Sequence, residues 1–252
     1  MTQTIRALAL TGLCCALLSA APSSAGEFSV YPIRIDLGAS LKSSVLNIKN
    51  EDKQTLSFQI DAKEWTQDAS SKDQHADTNG LIFFPKIISI APGEEGLIRV
   101  GARAAVSPTE KTYRLFVEEL PGAAKKLEGG GAQVNVLIRF GVPVFIAPLK
   151  PQDGLDIDGF SLAKGTVSLS AKNTGNRHQV VQGIDLKGSD AGGNQVYALT
   201  LADRYLLTGT TKSYTTAIAA DQCAKITRLS LEFKTDKLNV ARHLDVTRAM
   251  CP

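Results

Sequence analysis

The sequence predicts an all-β protein made of two immunoglobulin-like β-sandwich domains, and three observations carry that reading. From Phe28 onward, short segments rich in β-branched residues alternate with turn residues about every 8–12 positions, the rhythm of a sandwich or barrel. No long stretch shows helical periodicity. A polar, proline-containing break, Pro148-Leu149-Lys150-Pro151-Gln152-Asp153-Gly154, separates two such series of segments and marks a domain boundary.

The first 25 residues are set apart from the fold. Arg6, the apolar run Ala7 to Ala21 and the small residues Ser23-Ser24-Ala25 form the three-part pattern of a cleavable secretory signal peptide. Nothing downstream approaches the ~18 consecutive apolar residues of a membrane span. Cys14 follows Leu13 rather than a small residue, so lipidation is not expected. Cleavage leaves Cys223 and Cys251, an even pair in an oxidising compartment, and a disulfide between them is expected.

The first domain, residues 26–148, reads as seven strands: Phe28–Leu37, Ser44–Asn50, Leu56–Glu64, Leu81–Ile90, Gly96–Arg103, Thr112–Glu119 and Gln133–Ala147. Pro92-Gly93 is a turn signal, and the glycine-rich stretch from Gly122 to Gly131 reads as a flexible loop before the last strand. The segment Thr66–Asn79, with Asp68, Asp73 and Asp77, lacks the ordered spacing of a calcium loop and reads as a polar loop.

The second domain, residues 149–252, is smaller, with strands over Gly165–Lys172, Gln179–Lys187, Gln195–Leu201, Ser213–Ile218 and Lys225–Phe233. A weak internal echo links the halves. Ser44 to Asn50 and Thr166 to Asn173 are each an apolar strand ended by asparagine and a polar turn, a place any β-turn favours asparagine.

Charge and motifs narrow the function classes. The precursor's net charge of +3 gives no basic footprint for nucleic acid or membrane. His75, His178 and His243 are scattered and match neither a metal set nor a triad; no metal, cofactor, small-molecule substrate or catalytic role is expected. Gly-x-Ser-x-Gly, a phosphate-binding loop and His-Glu-x-x-His are missing from the sequence.

Two segments point to a polypeptide partner. In Val134-Asn135-Val136-Leu137-Ile138-Arg139-Phe140, within the strand Gln133–Ala147, alternation places Val134, Val136 and Ile138 on one face and Asn135, Leu137 and Arg139 on the other. Such a strand is either an interior strand or an edge whose apolar row is kept for another chain. In Val30-Tyr-Pro-Ile-Arg34-Ile-Asp-Leu37, a lone arginine in an apolar segment either pairs with Asp36 at the surface or awaits a partner's carboxylate.

These residues together resemble the PapD-like periplasmic pilus-assembly chaperones of the chaperone–usher pathway. The likeness spans nearly the whole mature chain: V-x-P-x-R at Val30 to Arg34, Phe83-Phe84-Pro85-Lys86 leading to Ile90-Ala-Pro-Gly93, and Tyr113 to Pro121. It continues through the strand Gln133 to Pro148 and Lys172-Asn-Thr-Gly175. The resemblance implies two angled immunoglobulin-like domains that lend a strand to a pilus subunit and deliver it to an outer-membrane usher.

By position, Val134, Val136 and Ile138 resemble the residues that fill the subunit's groove, and Arg34 the cleft arginine that grips its C-terminal carboxylate. The family's cleft lysine falls at or near Pro143, and no lysine lies between Gln133 and Ala147. Either Arg139 takes part or the anchor is weaker, a departure that resembles the archaic branch. The rival expectation is a structural pilus or adhesin subunit, which would carry an N-terminal donor extension. Whether the free chain self-associates through its open strand stays unanswered by the sequence.

Overall fold

A computed structural model describes residues 26–252 apart from 69, 71, 104, 106 and 123–135. The signal-peptide expectation, most of the glycine-rich loop and Val134 lie outside the described residues. Among the described residues eighteen strands make up four sheets: two draw their strands from residues 28–146 and two from residues 155–245.

The first sheet has the order β1-β3-β8-β6, from β1 (Phe28–Tyr31), β3 (Ser43–Asn50), β8 (Glu95–Ala102) and β6 (Leu81–Phe84). The second has the order β2-β10-β9-β4-β5, from β2 (Ile35–Leu37), β10 (Arg139–Ile146), β9 (Lys111–Glu119), β4 (Leu56–Gln67) and β5 (Asp73–Asp77). A further strand, β7 (Ile87–Ile90), pairs with β4. Alternate residues of facing strands, among them Leu46, Ile48, Phe58, Leu115, Val117 and Val142, are fully buried between these sheets. Each such side chain contributes about 1.5–3 kcal/mol by leaving water.

Two segments expected as single strands are each divided between the sheets. Phe28–Leu37 becomes β1 and β2, and Leu81–Ile90 becomes β6 and β7. The break falls at Pro32 in one and at Pro85 in the other, each after a cis peptide bond. A proline supplies no N–H to a ladder, so a crossing between sheets is tolerated there.

The polar loop expected over Thr66–Asn79 also needs correction, because β5 pairs with the far end of β4, Lys63 opposite Asp77 and Gln67 opposite Asp73. Every residue of β5 is exposed, which is why it carried no apolar alternation.

In the second half, β11 (Leu155–Ala163), β12 (Thr166–Asn173) and β16 (Thr211–Ala217) form one sheet. The other sheet has the order β14-β13-β17-β18, from β14 (Gln195–Leu201), β13 (Gln179–Ser189), β17 (Arg228–Thr235) and β18 (Asn239–Asp245), with β15 (Tyr205–Leu206) beside β13. Strands β11, β15 and β18 were not expected from sequence: β15 has two residues, β18 is largely exposed, and the alternation of β11 is interrupted by an irregularity between Asp158 and Ser161. Cys223 and Cys251 are disulfide-bonded, Cα–Cα 5.7 Å, and both are buried in this second core.

The asparagine echo is structural. Asn50 and Asn173 are both fully buried. Asn50 Nδ2 donates to the carbonyls of Gln54 and Ile90, each at 2.8 Å, while its Oδ1 accepts the Asp52 N–H at 2.9 Å. Asn173 repeats this pattern, donating to Arg177 O at 2.8 Å and Leu206 O at 2.9 Å and accepting from Gly175 N–H at 2.9 Å. Each asparagine satisfies backbone groups that would otherwise be buried alone.

A third cluster joins the halves: Trp65 and Phe145 of the first sandwich pack with Tyr205 and Leu207 of the second. Trp65 lies edge-on to Tyr205 with centroids 5.4 Å apart, and His178 stacks on Phe145 at 3.6 Å. Polar ties flank the cluster. Gln67 Nε2 donates to Tyr205 O and its Oε1 accepts from Leu207 N–H, both at 3.1 Å. Asn176 Nδ2 donates to Pro108 O at 2.8 Å.

Candidate functional site: an open strand edge beside a charged cleft

The candidate site is built on β10. Strand β10 pairs antiparallel with β9 over its whole length, from Arg139 opposite Glu118 to Ile146 opposite Lys111. On its other side, β2 runs parallel and covers only Val144, Phe145 and Ile146. Along a strand, backbone groups of alternate residues face opposite edges. Ile138 O accepts from Glu119 N–H, so even-numbered groups face β9, while Ala147 N–H donates to Leu37 O, so odd-numbered groups face the β2 side. The N–H and C=O groups of Arg139 and Gly141 therefore lie on an edge to which no strand pairs among the described residues.

The strand is shorter than the sequence suggested. Expected over Gln133–Ala147, it starts at Arg139, and Val136, Leu137 and Ile138 are outside any strand. The reason lies in the partner: β9 ends at Glu119, whose N–H donates to Ile138 O, and is followed by Leu120-Pro121, so among the described residues Val136 and Leu137 have no strand opposite them.

The apolar row survives this correction. Val142 and Val144 are sealed in the first core, whereas Phe140 is 36% exposed, Ile138 is half-buried and Val136 is 49% exposed. The row thus emerges from the core and runs out into solvent on the same edge. Phe140, with the parity of Val136 and Ile138, belongs with them; the sequence alone placed it next to this row without singling it out.

Arg139 faces the other side. Its guanidinium stands 3.9 Å over the Phe116 ring, with Nε 3.3 Å from Glu118 Oε2. It is tied into the outer surface of the sheet by cation–π and ionic contacts, away from the apolar row.

Arg34 is not within a strand; it sits in the bend between β1 and β2. Its Nε donates to Asp36 Oδ2 at 2.8 Å, and its side chain is 40% exposed. The surface pairing that the sequence allowed is therefore present. At the same time Arg34 lines a cleft between the sandwiches together with Phe145 and His178, where Arg34, Arg177 and Lys237 are matched by the carboxylates of Asp36, Glu110 and Asp236. Across the junction the carboxylate of Glu110 accepts from the His178 backbone N–H at 2.9 Å and meets its Nδ1 at 2.9 and 3.0 Å. Arg177 donates twice to Asp153, both at 2.7 Å, a pairing that holds the Asp153 carboxyl below its usual range.

Arg114, on the outer face of β9, was not noticed in the sequence. Its guanidinium lies 3.8 Å over the Trp65 ring and 3.6 Å from Asp73, and burial pulls its pKa below the usual arginine value. A cation on an outward position of a strand carries no signal in a single sequence; only the neighbouring strands mark it. No group of three or more histidine, cysteine or acidic side chains able to hold a metal occurs among the described residues.

The fold is a pair of joined β-sandwiches in which one strand edge is half-covered and stands beside a cleft lined by Phe145 and by charged residues of both signs. The chain belongs to the pili and flagellar-assembly chaperone family, whose PapD N-terminal domain model matches residues 27–152. No curated protein matches the sequence. Among solved structures, it is similar to the CsuC–CsuE chaperone–tip adhesion subunit pre-assembly complex from the archaic chaperone–usher Csu pili of Acinetobacter baumannii. That match has 18% identity and a TM-score of 0.57, covering 86% of this chain and 97% of that one. The Salmonella enterica SafA pilin complex with the SafB chaperone matches at 11% identity and TM-score 0.58, over 89% and 99% of the two chains. The Pseudomonas aeruginosa CupB2 chaperone matches at 13% and 0.53, over 87% and 100%. At these identities the likeness is one of fold.

Proposed function

We infer that the protein is a periplasmic chaperone that holds pilus subunits by lending them the open edge of β10, and then passes them to an outer-membrane usher. The observation that supports this reading is the half-covered edge: backbone groups of Arg139 and Gly141 face outward beside the row formed by exposed Val136, half-buried Ile138 and exposed Phe140. A subunit lacking a strand exposes the complementary groups, and leaving each one buried and unpaired costs about 1–3 kcal/mol. Pairing satisfies the ladder, and the alternating apolar side chains fix the register.

Arg34 stands where the free edge meets β2. A visiting strand that runs parallel to β10 and in line with β2 ends there, with its C-terminal carboxylate toward the guanidinium. Release proceeds by exchange with another subunit's strand, for which no nucleotide site is needed. The chain divides into a signal peptide over 1–25, the strand-lending domain over 26–148 and a second sandwich over 149–252 on the same reading.

The test is capture of a co-expressed secreted subunit. Ile138→Asp and Phe140→Asp place a charge in the apolar row and abolish copurification, while Arg34→Ala weakens the complex without loss of thermal stability. Unaltered capture by both row variants overturns the reading.

A further inference from the structure

A second cavity lies at the junction, and both sandwiches wall it. The end of β4, Glu64 to Asp68, and the approach to β9, Thr109 to Thr112, meet the turn Leu207 to Thr211 around a space of about 630 Å³. That volume is in the range of small-molecule sites. The cavity is distinct from the charged cleft that Arg34 lines, and Glu110 is a wall of both.

Two orphaned groups mark its walls. Among the described residues, the buried side-chain polar atoms without a hydrogen-bond partner are Trp65 Nε1 and Thr208 Oγ1, and both residues line this cavity, one from each sandwich. Trp65 is only 1% exposed. The Arg114 guanidinium covers its ring and Tyr205 meets it edge-on, so the indole N–H is the part of the side chain left without a partner. Buried donors and hydroxyls are almost always satisfied in folded proteins, so each of these two calls for a partner.

The lining selects the partner's chemistry. The carboxylates of Glu64, Asp68 and Glu110 stand against a single ammonium, that of Lys111, so an anion is repelled. Asp68 stays ionised, because the N–H groups of Lys72 and Ser70 and the Gln74 amide hold its carboxyl below the usual range. A cation would suit the carboxylates but has no lone pair with which to accept from the Trp65 N–H. A hydroxyl both accepts and donates, and so it answers the Trp65 N–H, the Thr208 hydroxyl and the carboxylates alike. Six of the fourteen lining residues are threonines, which add side chains of the same two-way capacity. We propose that this cavity binds a neutral polyhydroxy ligand of the saccharide class, which bridges the two sandwiches through Trp65 and Thr208. The site is independent of the strand-lending edge.

The experiment titrates the full chain with maltotriose, following calorimetric heat and the emission of Trp65, the sole tryptophan. Binding is saturable, shifts that emission and raises the thermal midpoint as ligand is added. Trigalacturonate, an anionic trisaccharide, and glycerol give no saturable signal. Thr208→Val weakens maltotriose binding about fivefold, the effect of one neutral hydrogen bond, and the variant folds, because a methyl in place of an unpaired buried hydroxyl leaves no group unsatisfied. Thr208→Ser keeps most of the affinity. A wild-type chain with no saturable response to maltotriose, or one that takes trigalacturonate or glycerol as tightly, overturns the proposal. So does equal affinity in wild type and Thr208→Val, or displacement of maltotriose by a capped alanine peptide, which would make the cavity a polypeptide site. Strand lending is unaffected by any of these outcomes, since its own test is subunit capture.

Discussion

The carboxylate of Glu110 in the first sandwich holds His178 of the second at two points, its backbone N–H and its ring Nδ1, while the imidazole lies flat on Phe145. The Glu110 side chain is almost wholly buried, so this contact fixes how the walls of the cleft stand relative to Arg34.

Glu110→Ala leaves the His178 N–H without its acceptor. We expect a loss of about 1–3 kcal/mol in urea-induced unfolding, because the penalty is that of a buried donor left unpaired. Small-angle scattering should show a broader spread of domain orientations. A variant with unchanged midpoint and unchanged scattering would remove Glu110 from the account of the junction.

Asn50 and Asn173 make equivalent bonds in the two sandwiches, so Asn50→Ala and Asn173→Ala should cost similar amounts. Each frees two buried carbonyls and one N–H, and about 2–4 kcal/mol is expected in each case. Proteolysis during denaturant titration distinguishes them: Asn50→Ala exposes the first sandwich earlier, and Asn173→Ala the second. Equal sensitivity of both sandwiches to either change would contradict the repeat.

The Cys223–Cys251 bond closes a loop of 28 residues around the second core. Reduction, or Cys223→Ser with Cys251→Ser, should lower stability by about 3 kcal/mol in the chain-entropy model. Calorimetry should place the loss in the second sandwich alone. A first-sandwich transition that moves by the same amount would mean the two unfold as one unit.

Acid should weaken the Arg177–Asp153 pair. The Asp153 carboxyl is held below its unfolded value of about 3.9, so its contribution is fully present above that pH and is lost as pH falls through the lower folded value. Asp153→Asn should therefore destabilise the protein at pH 7 and match wild type in strong acid. A gap between the two that stays constant from neutral pH to strong acid would show that the charge of Asp153 contributes nothing.

Much of this molecule was legible in the residues. Alternation of apolar and polar side chains identified most of the strands that bury one face, including Ser43–Asn50 and Thr166–Asn173, because burial imposes a period of two on the sequence. It failed at β5 and β18, whose largely exposed residues are free of that constraint, and at β1/β2 and β6/β7, where an apolar run continues although the chain changes sheet. The row Val136, Ile138 could be read from parity, but its openness could not: a strand's period is the same whether its edge is paired or free.

By itself, then, the sequence determined the all-β class, the pairing of Cys223 with Cys251 and the face on which the apolar row lies. The tertiary structure decided which edge of β10 stays open, where β2 closes it, and that Arg114 lies opposite Pro143. The physical reason is that residues 35, 113 and 144 are brought level by ladder register, a relation between distant segments that leaves no periodic trace in any one of them.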